Sequence, residues 1–153
     1  GDIYLDINLR EPWWEAEHLK RWISHCDILK LNDEEMAILV ELYALKSAPL
    51  PQQAQALLEQ TATREIFLTH GSKGAYHIDQ KGVTFQAAPQ LESMEDTIGA
   101  GDGFSAMTIH GILHNLPTEE ILKHATAFAA KICQIHGATP EHPSFYDVWK
   151  ESH

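Results

Sequence analysis

The segment Asp96-Thr97-Ile98-Gly99-Ala100-Gly101-Asp102 precedes a mostly apolar run, residues 103–113, that is typical of a buried helix. Small residues at a helix start let the backbone approach a ligand closely, and the first amides of the helix point towards that ligand. Such amides bind phosphate, or the charge that develops on a transferring phosphoryl group. An aspartate in the same turn is well placed to accept a proton from a hydroxyl group. The segment therefore predicts an anion site with Asp102 as its base.

The same turn also has a plainer interpretation. Gly99 and Gly101 would form a tight turn, and Asp102 would cap the helix that follows. The turn alone leaves both interpretations open.

Strands and helices alternate along the 153 residues, which suffice for one well-formed core. This alternation predicts an α/β fold, with a mostly parallel sheet and helices on both faces. Gln80-Lys81-Gly82 is expected to join two short strands as a hairpin. Strands are predicted at 3–7, 27–31, 65–69, 75–79 and 83–87, and helices at 13–23, from 33, from about 54, from 100–103 and from 117 to before 137.

Composition narrows the functional class. The formal charge is −11 and no Lys/Arg cluster is present, so nucleic acid is not an expected partner. No apolar run approaches the roughly 20 residues that span a bilayer, and the opening residues do not resemble a signal peptide. Cys26 and Cys133 lie in apolar stretches, and we expect buried free thiols in a reducing cytoplasm.

The residues from Asp96 to Phe104 match the pattern D-T-x-G-A-G-D-x-F. This pattern resembles the C-terminal signature of the ribokinase-like (PfkB) carbohydrate kinases. The resemblance implies a ribokinase-like fold and transfer of phosphate from ATP to a sugar hydroxyl. It also implies specific roles: Asp102 as catalytic base, the Gly99, Ala100 and Gly101 amides as anion hole, and Asp96 beside a monovalent cation, with K⁺ as a candidate.

Asn32 and Glu35 stand where a predicted strand gives way to a helix. An N-cap asparagine followed three residues later by glutamate is typical of a capping box. The pair also resembles the N-x-x-E motif of the sugar kinases, in which the carboxylate orders water around Mg²⁺. The two interpretations are compatible, because a cap fixes the direction of the side chain.

Two further segments resemble parts of the family. Thr69-His70-Gly71-Ser72-Lys73-Gly74 is similar to its T-x-G-x-x-G segment, which implies nucleotide contacts at Thr69, Gly71 and Gly74; the alternative is a turn into a hairpin. Asp6-Ile7-Asn8-Leu9-Arg10 with Trp14 resembles the fructokinase branch, although Ile7 replaces a common proline. It implies that Asn8 and Arg10 border the sugar, the alternative being an Asx turn with a solvated arginine.

The helix around Thr126 resembles the adenine-side helix of the family, where many members carry asparagine between two alanines. Threonine at this position implies a nucleotide contact with looser selectivity for the base. His110 and His114 are four residues apart on one helix, but no third ligand lies nearby. We interpret them as surface or satisfied histidines.

The resemblance covers the whole chain but only the C-terminal half of the family's usual length. Residues 1–153 are therefore expected to form the nucleotide-binding and catalytic part of a cytoplasmic sugar kinase, without the N-terminal substrate and lid part. The expected ligands are ATP, Mg²⁺ and a small sugar. A non-catalytic nucleotide-binding or regulatory domain stays open, as does another acceptor such as ribose, a sugar acid or a nucleoside. Whether the chain acts as a monomer or a homodimer also stays open.

Overall fold

The computed structural model describes residues 1–91 and 97–135. The chain divides into two compact units, Gly1–Gln86 and Ala87–His153. The first unit contains five strands and three helices. These are β1 (Tyr4–Asp6), α1 (Ala16–Ile23), β2 (Ile28–Asn32), α2 (Asp33–Leu42), α3 (Leu50–Gln60), β3 (Glu65–Thr69), β4 (Gly74–Asp79) and β5 (Gly82–Ala87).

The five strands form one sheet in the order β1-β2-β3-β4-β5. β1 is parallel to β2 and β2 is parallel to β3, whereas β4 runs antiparallel to β3. Each parallel pair is linked through helices, as parallel strands require, while β4 and β5 are joined by only two residues. The predicted α/β class with a mostly parallel sheet is confirmed, and the predicted hairpin between β4 and β5 is present.

One face of this sheet forms the core of the first unit. Alternate residues of the paired strands point to the same face, and the register aligns Leu29 with Ile66 and Leu31 with Leu68. Burying each such side chain contributes roughly 1.5–3 kcal/mol. The fully buried partners from the three helices are Leu19, Ile23, Met36, Leu39, Ala54 and Leu57.

The opposite face of the same strands is buried as well, but it carries charge. Lys30 is 5% exposed, and its Nζ lies 3.3 Å from Asp6 Oδ2 on the neighbouring strand. His77 Nε2 lies 2.8 Å from Glu65 Oε2. Buried charged groups are normally paired because desolvation of a lone charge is costly. Lys30 meets this requirement through Asp6, and the buried ring of His77 has a hydrogen-bond partner in Glu65.

The first helix begins later than the sequence predicts, at Ala16 instead of Trp13. The reason is a turn in which the Trp13 amide donates to the Arg10 carbonyl at 2.9 Å. Glu15 then keeps an extended backbone as the N-cap residue. Hydrophobic periodicity cannot reveal such a turn, because Trp13 and Trp14 are as apolar as the helix that follows.

The second unit contains α4 (Ala100–Leu113) and α5 (Thr118–Cys133), which pack against each other. Two glycines of α4 permit the close approach. A Cβ atom on Gly103 would collide with Ile132, and one on Gly111 would lie 2.6 Å from Ile121 Cγ1. The prediction that α4 is buried nearly all round is only partly correct, because Ile109 and Leu113 are exposed. None of the helices in the described ranges is long and apolar enough to cross a membrane.

Both cysteines are free and buried, as predicted. The Cys26 thiol has two polar neighbours: Sγ lies 3.3 Å from the Ile23 carbonyl oxygen and 3.4 Å from Thr63 Oγ1. Burial, as the main cause, raises the pKa of the Cys26 thiol. The folded protein therefore favours the protonated, unreactive thiol over the thiolate.

Cys26 is expected to react with iodoacetamide at pH 8 at least about tenfold more slowly in the folded chain than in the unfolded chain, because only the thiolate attacks. Peptide mass spectrometry measures the two rates. The raised pKa also makes the free energy of unfolding depend on pH. The stabilisation by the protonated thiol is complete below the thiol's ordinary pKa, and it is lost as pH rises through the pKa of the folded state. A Cys26→Ala variant should therefore lose less stability at alkaline pH than the parent chain. Equal labelling rates in the two states would contradict the assignment.

Candidate active site

Three of the segments singled out by sequence begin at the carboxyl ends of the parallel strands. β1 ends at Asp6 just before Asn8, β2 ends at Asn32, and β3 ends at Thr69. The carboxyl ends of parallel strands lie at one edge of a sheet, where α/β proteins bind ligands. The register pairs Asn32 directly with Thr69. The structure therefore brings two of the predicted nucleotide contacts side by side.

The capping box predicted at the start of α2 is present. Asn32 Oδ1 accepts a hydrogen bond from the Glu35 amide at 2.8 Å, and Glu35 Oε2 accepts one from the Asn32 amide at 2.8 Å. Asn32 has the extended backbone of an N-cap residue. Its side-chain NH₂ group is not used by the cap and stays available as a donor.

Glu35 makes a second contact that the sequence does not predict. Its Oε1 accepts a hydrogen bond from the amide of Leu9, 26 residues earlier in the chain, at 2.9 Å. The Glu35 side chain is therefore buried between the start of α2 and the loop that follows β1. In this loop Asn8 has a φ of 35°, in the left-handed region that residues with a side chain seldom adopt.

The side chains of Asn8 and Arg10 are exposed on the same loop. Neither makes a side-chain hydrogen bond or an ion pair within residues 1–91 and 97–135. The structure thus places both just after the carboxyl end of β1, with no partner for their polar groups among the described residues. This arrangement suits a loop that borders a substrate, and it is also compatible with a solvated arginine.

The Thr69–Gly74 segment forms the predicted glycine-bearing turn into a hairpin. A short 3-10 turn spans Gly71–Lys73, and the His70 amide donates to the Gly74 carbonyl at 2.8 Å. Gly71 and Gly74 have φ values of 52° and 135°, which favour glycine. The Thr69 hydroxyl is 3.5 Å from the Leu31 carbonyl, at the limit of a hydrogen bond, so it is held only weakly.

In the second unit, α4 begins in the way the glycine-rich segment predicts. Gly99 is the N-cap residue, with a left-handed φ of 82°, and its carbonyl accepts from the Gly103 amide at 2.9 Å. The Ala100 amide donates to the Thr97 carbonyl at 3.2 Å. Within the described ranges, the amides of Gly101 and Asp102 have no acceptor in the chain. Of the three amides predicted to form an anion hole, that of Ala100 therefore already has an acceptor within the chain.

Asp102 is the third residue of α4, and its side chain is exposed. A capping aspartate would occupy the N-cap position, but Gly99 occupies it and no side chain caps this helix. The interpretation of Asp102 as the cap of α4 is therefore wrong. Its carboxylate stands in the same turn as two unpaired amides and is free to act on a ligand.

Of the remaining predicted positions, Thr126 lies on α5 and His114 directly follows α4. Thr126 is 6% exposed and its hydroxyl donates to the Leu122 carbonyl, so it could contact a base only as an acceptor. Asp96, the predicted neighbour of a monovalent cation, lies outside the described residues. His114 Nδ1 lies 3.0 Å from the His110 carbonyl oxygen on α4.

Sequence patterns missed two features of the strand ends: the contact of Glu35 with the Leu9 amide, and the buried pair of Lys30 with Asp6. The second had a signal, because a lysine in the apolar run Ile28-Leu29-Lys30-Leu31 needs a partner when the strand is buried. The contact of Glu35 with the Leu9 amide had no such signal, because a sequence does not indicate which distant amide a carboxylate will contact.

The carboxylates present fit Mg²⁺ held mainly by a phosphate ligand. Among the described residues no three His, Cys, Asp or Glu side chains cluster to form a metal cage. Mg²⁺ usually keeps several waters and takes only one or two carboxylates together with substrate phosphates. Each oxygen of Glu35 accepts one amide and so retains a lone pair for such a water.

Comparison with known proteins gives this geometry a context. The family model of pfkB family carbohydrate kinases matches residues 1–144. A ribokinase of Schizosaccharomyces pombe is 31% identical over 129 residues, which are 82% of this chain and 40% of the relative. A 5-dehydro-2-deoxygluconokinase of Geobacillus thermodenitrificans is 21% identical over 151 residues, 95% of this chain and 44% of the relative.

Solved structures of carbohydrate kinases have a fold similar to that of this chain. The ribokinase of Thermotoga maritima superposes with a TM-score of 0.80 at 20% identity, over 98% of this chain and 49% of that one, which shows the shared fold. The ribokinase of Arabidopsis thaliana, solved with ribose and ATP, gives a TM-score of 0.77 at 26% identity, over 97% of this chain and 46% of that one. This chain thus spans less than half the length of these relatives. It belongs to the pfkB family of carbohydrate kinases.

Proposed function

We propose that this chain carries the nucleotide-binding and catalytic part of an ATP-dependent kinase that phosphorylates a sugar hydroxyl. One observation supports the proposal above all. An exposed Asp102 carboxylate, free of any capping bond, stands in the same helical turn as the unpaired amides of Gly101 and Asp102. A base and an anion site in a single turn are what transfer of a phosphoryl group to an alcohol requires.

In the proposed reaction, Asp102 accepts the proton of the sugar hydroxyl as its oxygen attacks the γ-phosphorus of ATP. The bond between that phosphorus and the β–γ bridging oxygen breaks, giving sugar phosphate and ADP. The amides of Gly101 and Asp102, together with that of Gly99, stabilise the negative charge on the transferring group. Ala100 contributes through the turn that its amide closes. Mg²⁺, when bound, would neutralise charge on the phosphates.

The strand ends of the first unit carry the other proposed roles. Asn32, Thr69, Gly71 and Gly74 are proposed to contact the nucleotide, since they lie on one edge of the sheet and the Asn32 NH₂ group has no partner among the described residues. Asn8 and Arg10 are proposed to border the sugar. Beyond these, Glu35 would hold Mg²⁺ through water, Asp96 would neighbour a monovalent cation such as K⁺, and Thr126 would face the base.

For the acceptor we propose a fructose-like sugar, on the basis of the D-x-N-x-R segment from Asp6 to Arg10. Relatives named as ribokinase and 5-dehydro-2-deoxygluconokinase make ribose and a sugar acid the main competing acceptors. A nucleoside is a further competitor, because a Burkholderia thailandensis nucleoside kinase solved with inosine shares the fold. The loop carrying Asn8 and Arg10 would have to discriminate among these.

This chain matches less than half the length of its relatives, and this limits the activity that we expect of it alone. Relatives carry more than twice the matched length, and we propose that the remaining part contributes to positioning the substrates. Positioning two reactants supplies a large part of the rate in such reactions. We therefore propose that residues 1–153 alone bind ATP but transfer phosphate slowly.

The purified chain is expected to bind Mg·ATP in titration calorimetry and to release ADP slowly with fructose, ribose, a sugar acid or a nucleoside. A coupled assay of ADP release with each acceptor measures the second point. Rapid turnover by residues 1–153 would refute the proposal that this chain alone transfers phosphate slowly. Failure to bind ATP would refute the proposed nucleotide site. Binding without transfer, even in a longer protein that contains this chain, would instead favour a non-catalytic nucleotide-binding domain.

A further inference from the structure

The buried carboxylate of Glu35 joins two segments that are far apart in sequence. We propose that Glu35 is a positioning residue: it clamps the amides of Leu9 and Asn32 together, and so fixes the loop that presents Asn8 and Arg10. The effect on catalysis rests on the proposed kinase function. The clamp itself does not, because it is a contact of the chain without any ligand.

The geometry of the clamp is symmetrical. Glu35 Oε1 accepts from the Leu9 amide at 2.9 Å, and Oε2 accepts from the Asn32 amide at 2.8 Å. The second bond belongs to the capping box, which directs the carboxylate through the bond from the Glu35 amide to Asn32 Oδ1. The capping box therefore leaves the other carboxylate oxygen to hold the loop.

Burial makes this contact strong. Glu35 is 6% exposed, so its charge depends on hydrogen bonds from the chain in place of water. Hydrogen bonds to an ionised carboxylate are stronger than neutral ones, and their loss leaves a buried group unsatisfied. Both partners of the clamp are main-chain amides, which move only when the backbone moves. The clamp therefore restrains the path of the loop, which a contact between two side chains would not do.

Backbone hydrogen bonds hold the loop on both sides of its candidate functional residues, Asn8 and Arg10. The Ile7 amide donates to the Lys30 carbonyl at 3.3 Å, the Leu9 amide donates to Glu35, and the Trp13 amide donates to the Arg10 carbonyl. Between the first two anchors, Asn8 is held at a φ of 35°. Asparagine tolerates a positive φ better than most residues with a side chain, so Asn8 suits the turn between these two anchors. Without the Leu9 anchor, Asn8 and Arg10 would lose their fixed directions.

This role differs from the proposed one of Glu35 towards Mg²⁺. A carboxylate oxygen has two lone pairs, so each can accept one amide and still meet a water. The clamp acts in the free protein, whereas a metal role appears only with nucleotide bound. The two roles therefore predict different results for the same substitution.

Glu35→Gln is the direct test. The two backbone amides meet different oxygens of Glu35, and glutamine replaces one of these oxygens with an NH₂ donor, so it cannot accept both amides in this geometry. In the ligand-free chain, hydrogen exchange followed by NMR should show faster exchange of the Leu9 amide by at least tenfold, and trypsin should cleave after Arg10 faster. Glu34→Gln is the matched control, because Glu34 is an exposed carboxylate in the same helical turn. It should change neither measurement.

A second variant removes the clamp and leaves Glu35 intact. Replacing the Leu9 amide by an ester, through the α-hydroxy analogue of leucine, deletes only the donor. In a catalytically active protein that contains this chain, the ester and Glu35→Gln should both lower kcat at saturating ATP. Raising the Mg²⁺ concentration should restore neither.

The results separate the clamp from the kinase proposal. Unchanged Leu9 exchange in Glu35→Gln, or full activity of the ester variant, would overturn the clamp while leaving the kinase function standing. Recovery of Glu35→Gln at high Mg²⁺ would likewise assign Glu35 to the metal alone. If no sugar is phosphorylated under any condition, the kinase proposal fails, and the exchange of the Leu9 amide still decides whether the clamp exists. Should Glu35→Gln fail to fold, the ester variant carries the same exchange measurement at neighbouring amides of the loop.

Discussion

Asp102→Asn is expected to lower the kcat of sugar phosphorylation by about 10²- to 10⁴-fold, the range typical of losing a general base. Asparagine has nearly the same size and stays in place, but its amide cannot take the hydroxyl proton at neutral pH. The KM for ATP should change little, because the amides that meet the phosphates are backbone groups that the substitution leaves in place. Initial rates of ADP release in an active protein that contains this chain give both constants.

Glu120→Gln provides the matched control for this substitution. Glu120 is the third residue of α5, as Asp102 is the third residue of α4, and both side chains are exposed. The control removes the same charge from an equivalent place near a helix start, so any effect through the helix dipole should be similar and small. It should retain full kcat. An Asp102→Asn enzyme that keeps more than about a tenth of the parental rate would mean that another group is the base.

The contrast between Asp102 and an ordinary capping residue shows what the sequence could not decide. A glycine-rich turn followed by aspartate predicts a helix start within a few residues, and the helix does begin there, at Ala100. Whether the aspartate caps the helix depends on where the first helical residue lies. If the helix began three residues later, Asp102 would be the N-cap residue in place of Gly99. Only the backbone geometry of Gly99 settles this point.

In the first unit, features that depend on neighbouring residues could be predicted from the sequence, whereas contacts between distant residues could not. The sheet could be predicted because buried parallel strands are apolar runs such as Ile66-Phe67-Leu68, and the capping box because its two residues are three apart. The contact of Glu35 with Leu9 could not, since the fold alone brings residues 26 apart together. The start of α1 was also misplaced, because a turn between Arg10 and Trp13 interrupts an apolar pattern that continues past it.

Gly99→Val is the second substitution expected to have a large effect. Gly99 has a φ of 82°, which a β-branched residue adopts only with strain. Relief of that strain would rotate the peptide that leads into α4 and misdirect the amides of Gly101 and Asp102. Loss of one well-placed donor to a developing anion typically costs about 10²- to 10³-fold in kcat. We expect a decrease of that size, with a loss of stability of about 1–2 kcal/mol from the left-handed conformation.

Gly82→Val separates the effect on the anion site from the cost of backbone strain. Gly82 also has a positive φ, 137°, and a Cβ atom built there meets nothing within 4 Å. Gly82 begins β5, directly after the turn that joins it to β4, and has no proposed role in phosphoryl transfer. Thermal unfolding should show both variants destabilised, whereas kcat at a temperature where both are folded should fall only in Gly99→Val. Equal kcat values in the two variants would show that the left-handed turn at Gly99 shapes the helix but not the anion site, and the transferring charge would then need other donors.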